Sequence, residues 1–107
     1  MWFVFPQLDG LGTSPLSKKY AIKSRDEAIA FLQHSVLGNR LVTATEALFQ
    51  IEGKSAFEIM GSPDDIKLKS CMTLFALVSE EGNVFQRILN KYFGGEMDKR
   101  TINLLDK

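Results

Sequence analysis

The chain has 107 residues, about one domain's worth, with 45 % hydrophobic and 24 % charged residues, a balance that excludes a disordered polymer. Its 13 Lys and Arg are matched by 13 Asp and Glu, which excludes the basic footprint of a general nucleic-acid binder and leaves room for a local anion pocket. One cysteine, Cys71, excludes an internal disulfide, and the longest apolar stretch, residues 1–5, falls far short of the roughly 20 residues of a membrane span. With no secretory signal pattern at its start, the chain is expected to be cytoplasmic.

Helix start and stop signals follow one another along the sequence. Ser14-Pro15 sets a capping residue before a proline at the first helical position, and a short helix is predicted to run to about Ile22. Ser24-Arg25-Asp26-Glu27 is a capping box, Ser24 accepting from the Glu27 amide while Glu27 reaches back. The helix it opens carries Ala28, Phe31 and Leu32 on one face. From about Ser35, Leu37, Leu41, Ala44, Leu48 and Ile51 form one helical stripe, which Gly53 stops. Ser55 and Glu58 repeat the capping box for a short helix closed by Gly61.

Ser62-Pro63-Asp64-Asp65 combines a cap, a first-turn proline and two acids facing the positive end of the helix dipole. That helix is predicted to reach about Ser79, with Leu68, Met72, Phe75 and Val78 inward. Asn83 and Gln86 open another through Val84, Phe85, Ile88, Leu89 and Tyr92, ended by Gly94-Gly95. Asp98 caps a last short helix carrying Ile102 and Leu105. No strand alternation appears after residue 12. The expectation is an all-α fold, a single compact bundle of about six or seven helices filling residues 1–107 as one domain.

The N-terminus breaks this pattern. Residues 1–5 hold Trp2, Phe3 and Phe5 with no cap or polar lead-in, whereas chain ends are usually polar and frayed. Such a segment is either buried as an extended arm or, the favoured expectation, continues an element missing here or supplied by a partner.

Several residues have the chemistry of a ligand site. Gly10-Leu11-Gly12-Thr13-Ser14-Pro15 is a glycine-containing loop entering a helix, where backbone amides and hydroxyls can cradle a phosphate. It lacks the Gly-Lys-Ser/Thr ending of a Walker loop, and a tight turn with a helix cap explains it equally. Lys67, Ser70 and Thr73, three apart, drift slowly around one side of their helix and can line a groove. Asp64 or Asp65 at the start of that helix is a candidate general base; the plainer role is to complement the dipole.

Other titratable groups read more plainly. His34, alone among the histidines, has no metal partners at ligand spacing, and a helix-end or capping role suits it better than acid–base catalysis. Arg40 and Arg25 are the arginines best placed for a phosphate or carboxylate. Cys71, beside Met72 on an apolar helix, reads as a buried, inert thiol. Neither a metal nor a cofactor is expected.

These residues together resemble a known bacterial family. The runs Met1-Trp2-Phe3-Val4-Phe5-Pro6-Gln7, Gly10-Leu11-Gly12 and Tyr20-Ala21-Ile22 look like the family labelled domain of unknown function 1810. The resemblance continues through His34-Ser35-Val36-Leu37-Gly38-Asn39-Arg40-Leu41, Gly61-Ser62-Pro63-Asp64-Asp65, Met72-Thr73-Leu74-Phe75, Tyr92-Phe93-Gly94-Gly95 and Asp98-Lys99-Arg100-Thr101. It implies a helical, cytoplasmic protein with no assigned activity. Similar sequences begin further upstream with another helical segment, so the resemblance implies that this chain lacks it. Some members carry a calpastatin label, yet nothing here resembles a protease-inhibitor repeat. A more distant similarity, in style rather than motif, is to the superfamily of riboflavin-intermediate and ADP-ribose N-glycosidases, and no catalytic glutamate carries over from it.

Two functional readings follow. In the first, the protein holds a nucleotide or sugar-phosphate-like ligand, with hydrolysis of an N-glycosidic bond as the associated chemistry. Its contacts would be Gln7, Gly12, Ser14, Arg40, Lys67, Ser70 and Thr73, with Asp64 or Asp65 as the base. In the second, it is a non-enzymatic module that self-associates through the N-terminal aromatic segment. Neither nucleic acid nor membrane is an expected partner.

Overall fold

Helix starts and stops lie close to where the sequence puts them in the computed structural model, which describes residues 5–11, 15 and 21–105. The described helices are α1 (Arg25–Gln33), α2 (Leu37–Gln50), α3 (Ala56–Met60), α4 (Asp64–Leu77), α5 (Val84–Phe93) and α6 (Lys99–Leu105). The Cα radius of gyration is 12.7 Å, near the roughly 13 Å of a compact chain of this length. Among the described residues, no helix is long and apolar enough to cross a membrane.

The caps follow from residue chemistry. Ser24 Oγ accepts from the Glu27 amide at 3.1 Å, but the Glu27 carboxylate takes the amide of Lys23 at 3.1 Å rather than that of Ser24. At α3 the box is complete: Ser55 Oγ accepts from the Glu58 amide and Glu58 Oε1 from the Ser55 amide. Asn83 Oδ1 accepts from the Gln86 amide at 2.8 Å, and α5 ends on Gly94 in the left-handed conformation.

The departures are equally physical. Helix α2 begins at Leu37 rather than near Ser35, because His34 Nδ1 accepts from the amides of Val36 and Leu37 at 3.1 Å each. The lone histidine is therefore a helix cap. Ser62 makes no cap for α4; Pro63 holds the N-cap position, and the acids Asp64 and Asp65 fill the first turn. The helix expected to reach Ile22 falls largely outside the described residues. Pro15 is helical, whereas Ile22 is extended and forms a parallel bridge with Leu8.

Helix α4 is the hub, packing against α1, α3, α5 and α6, while α2 packs against α1 and α5. Leu68, Cys71, Met72, Leu74 and Phe75 of α4 meet Leu41, Phe85, Ile88 and Leu89 in one core, which Phe5 and Leu8 of the N-terminal arm join. The Phe75 ring lies 5.6 Å from those of both Phe31 and Phe85. Gly38 allows the closest approach of two helices, since a Cβ there would sit 2.0 Å from the carbonyl oxygen of Leu32. The C-terminal carbonyls of α2 are satisfied from α5: Tyr92 donates to Leu48 O at 2.6 Å, and Lys91 Nζ to Ile51 O at 2.6 Å and to Phe49 O.

Candidate functional site

The arm of residues 5–11 is fixed by two backbone hydrogen bonds. The Ile22 amide donates to Gln7 O at 2.8 Å and the Asp9 amide to Ile22 O at 2.7 Å. Burial of Phe5 and Leu8 on either side holds Gln7 in place, only 7 % exposed. Gly10 then turns with φ +102°, and a Cβ there would press to 3.3 Å from Leu104 of α6. The turn thus passes close against the last helix.

The start of α6 is latched to α4 by Asp98. Its amide donates to Thr73 Oγ1 at 2.8 Å. Its Oδ2 accepts from the Thr101 amide at 3.0 Å, from Thr101 Oγ1 at 2.5 Å and from Ser70 Oγ at 3.2 Å. Asp98 is thus the cap the sequence proposes and also a tie between two helices. Its Oδ1 accepts no hydrogen bond from any described residue.

Arm, α4 and α6 enclose a cleft of about 210 Å³. Gln7 and Leu11 line it from the arm, and Ile66, Lys67 and Ser70 from α4, with Pro63 just before. Asp98 and Arg100 complete it. Two cationic side chains on different helices, a carboxylate and a buried amide therefore share one concavity. Arg100 is exposed and forms no ion pair with a described residue.

Of the residues singled out from sequence, Gln7, Lys67 and Ser70 come together here. Thr73 does not line the cleft: it is fully buried, donates to Lys69 O at 2.8 Å and accepts from Asp98, so its hydroxyl is spent on the latch. Asp64 and Asp65 sit at the start of α4 outside the lining, and Asp65 Oδ1 is buried with no hydrogen-bond partner. Arg40 lines a separate surface groove on α2 with Asn39 and Thr43. Gly12 and Ser14 lie outside the described residues, as do Trp2 and Phe3 of the aromatic segment. Phe5, the described member of that segment, is part of the core.

Sequence reasoning passed over Asp98 and Arg100 as site residues. Their signal was present as an N-cap followed by a charged first turn, but nothing local tells that the turn faces Lys67, 33 positions away in the chain.

Two further hollows, like the Arg40 groove larger than the cleft, carry less chemistry. In one, of about 340 Å³, Lys23 is paired with Asp9 at 3.6 Å. In the other, of about 440 Å³, Lys91 is committed to main-chain carbonyls and to Glu52 at 3.5 Å. Cys71 is wholly enclosed and burial pushes its thiol well above the ordinary range, so it offers no thiolate nucleophile.

Residues 1–105 match the family described as "Protein of unknown function (DUF1810)". Among solved structures, the chain is similar to the conserved hypothetical protein Rv1873 from Mycobacterium tuberculosis, known from a crystal structure at 1.38 Å. The two are 52 % identical with a TM-score of 0.96, over 99 % of this chain and 76 % of that one. No curated protein matches.

Proposed function

Since the chain belongs to the family described as protein of unknown function (DUF1810), a family without an assigned activity, we propose from its geometry that the cleft between arm, α4 and α6 binds a small anionic ligand of the nucleotide or sugar-phosphate kind. The observation that carries this reading is the convergence of Lys67 and Arg100 on a concavity that also holds the buried amide of Gln7. A guanidinium and an ammonium are the side chains that hold phosphate oxygens, and a concave setting strengthens them relative to open water.

Binding is favoured over hydrolysis. Among the described residues Asp98 is the one carboxylate lining this cleft, its Oδ2 is taken by the latch to α4 and the start of α6, and Asp64 and Asp65 lie outside the lining.

A thermal-shift screen against inorganic phosphate, sugar phosphates and nucleotides tests the reading, with Lys67→Ala and Arg100→Ala alongside. A ligand at about 100 times its Kd adds roughly 2.7 kcal/mol, on the order of 10 °C for a domain of this size. The expected result is a shift that either substitution abolishes while the variants stay folded. A flat panel on folded wild-type protein sinks the reading. It would turn attention to the second reading, self-association through the N-terminal aromatic segment, with light scattering as the measurement.

A further inference from the structure

The cleft holds charges of both signs, and a site built for a bare anion has no use for one of them. Resting on the reading of this cleft as a ligand site, we infer that its ligand carries hydroxyl groups beside its anionic group. It is a phosphorylated sugar or polyol, with Asp98 and Gln7 reading the hydroxyls and Lys67 and Arg100 holding the phosphate.

A carboxylate offers about four acceptor positions over its two oxygens. All three donors on Asp98 converge on Oδ2, leaving Oδ1 without a donor from any described residue. Beside a plain phosphate such an oxygen is a repulsive neighbour at close range. Beside a hydroxyl it accepts a charge-assisted hydrogen bond, the stronger kind.

Gln7 points the same way. The residue lines the cleft, is 7 % exposed, and its side-chain amide has no hydrogen-bond partner among the described residues. An amide with donor and acceptor positions open toward the cleft pairs with a bound hydroxyl, donor and acceptor at once. Leu11, Pro63 and Ile66 supply the apolar wall that the C–H face of a sugar or polyol needs, and Ile66 is 59 % exposed.

Asp98→Asn separates the two parts of the site. Asparagine remains a good N-cap, so its carbonyl oxygen keeps the Thr101 and Ser70 donors. Its NH₂ group then replaces Oδ1, turning an acceptor into a donor. Isothermal titration of the intact chain compares inorganic phosphate, ribose 5-phosphate and phosphoethanolamine as probes.

Wild-type protein is expected to bind ribose 5-phosphate about tenfold or more tighter than inorganic phosphate. Asp98→Asn should shrink that preference to within about threefold, inorganic phosphate binding more tightly once the repelling charge is gone and ribose 5-phosphate gaining less because its hydroxyl loses an acceptor. Gln7→Leu, away from the latch, should reduce the same preference, which keeps the test open if Asp98→Asn does not fold. No preference in the wild type, or a preference that both variants retain, overturns the inference and leaves the cleft reading standing. An equal gain from phosphoethanolamine, which has an ammonium and no hydroxyl, overturns it too. Failure of every phosphate to bind, or binding indifferent to Lys67→Ala and Arg100→Ala, overturns both readings.

Discussion

Helices α4 and α5 pack against each other, yet they solve opposite problems. Helix α5 has one buried stripe, Phe85, Ile88 and Leu89, and sends Arg87 and Asn90 to the surface. Helix α4 is enclosed by four neighbours, and every residue from Ser70 to Ala76 is buried, hydroxyls included. A surface helix can leave its polar groups to water. A central one must pair them internally, and α4 does so by bonding Ser70 and Thr73 to its own carbonyls and to Asp98. Those pairings draw α6 onto α4, and the cleft opens where the two meet. The site is thus a by-product of how a buried helix satisfies its hydroxyls.

The strongest way to break the contrast is in the apolar part of α4. Phe75→Ala removes a fully buried ring packed between Phe31 and Phe85 and should cost about 3–5 kcal/mol. That is a large share of the roughly 5–15 kcal/mol by which such domains are stable. Arg87→Ala on the open face of α5 should change stability by no more than about 0.5 kcal/mol. Urea denaturation of both variants checks the pair. Similar midpoints would mean that α4 is not the hub its burial indicates.

The same contrast explains what the sequence could tell. Periodic stripes and caps made the helices legible: Ser55 with Glu58, Asn83, Asp98 and Gly94 all act where their chemistry places them. Ser62 failed as a cap because a cap needs the right backbone geometry as well as an oxygen, and Pro63 took that position. The site was legible only in part. Lys67 and Ser70 could be placed on one helix side by spacing, whereas nothing in the local pattern set Gln7 beside them. That Thr73 turns inward to serve Asp98, and that Arg100 completes the cleft, depends on the packing of α6 against α4. Contacts between positions 25 to 33 apart leave no trace in local periodicity.

A smaller effect sharpens the polar side of the comparison. Thr73→Val keeps the shape of the side chain and removes the acceptor for the Asp98 amide, at an expected cost of about 1–3 kcal/mol. Stability alone would not separate a lost latch from general loosening. Amide hydrogen exchange does: protection should fall at Asp98 and through α6 and hold in α5. Uniform loss of protection across α5 and α6 would contradict a local latch.

The smallest expected effect lies at the outer edge of the α4–α6 junction, where Lys69 Nζ meets Glu96 Oε1 at 2.6 Å. That hydrogen bond from Lys69, with its charge and then the charge of Lys99, holds the Glu96 carboxyl below its ordinary range. A carboxyl lowered in the folded state stabilises the fold when ionised. Its contribution is therefore complete above the unfolded-state value and is lost as pH falls through the folded one. Because Glu96 is exposed, the pair is screened and the effect is slight. Glu96→Gln should lower Tm slightly near neutral pH and lose that difference at acid pH, once the wild-type carboxyl is protonated as well. High salt should erase the neutral-pH difference. A difference that persists at both pH values would show that the substitution acts through packing rather than charge. It would also mean that surface charge adds nothing at this edge of α4, which is then held by its apolar core and buried hydroxyls.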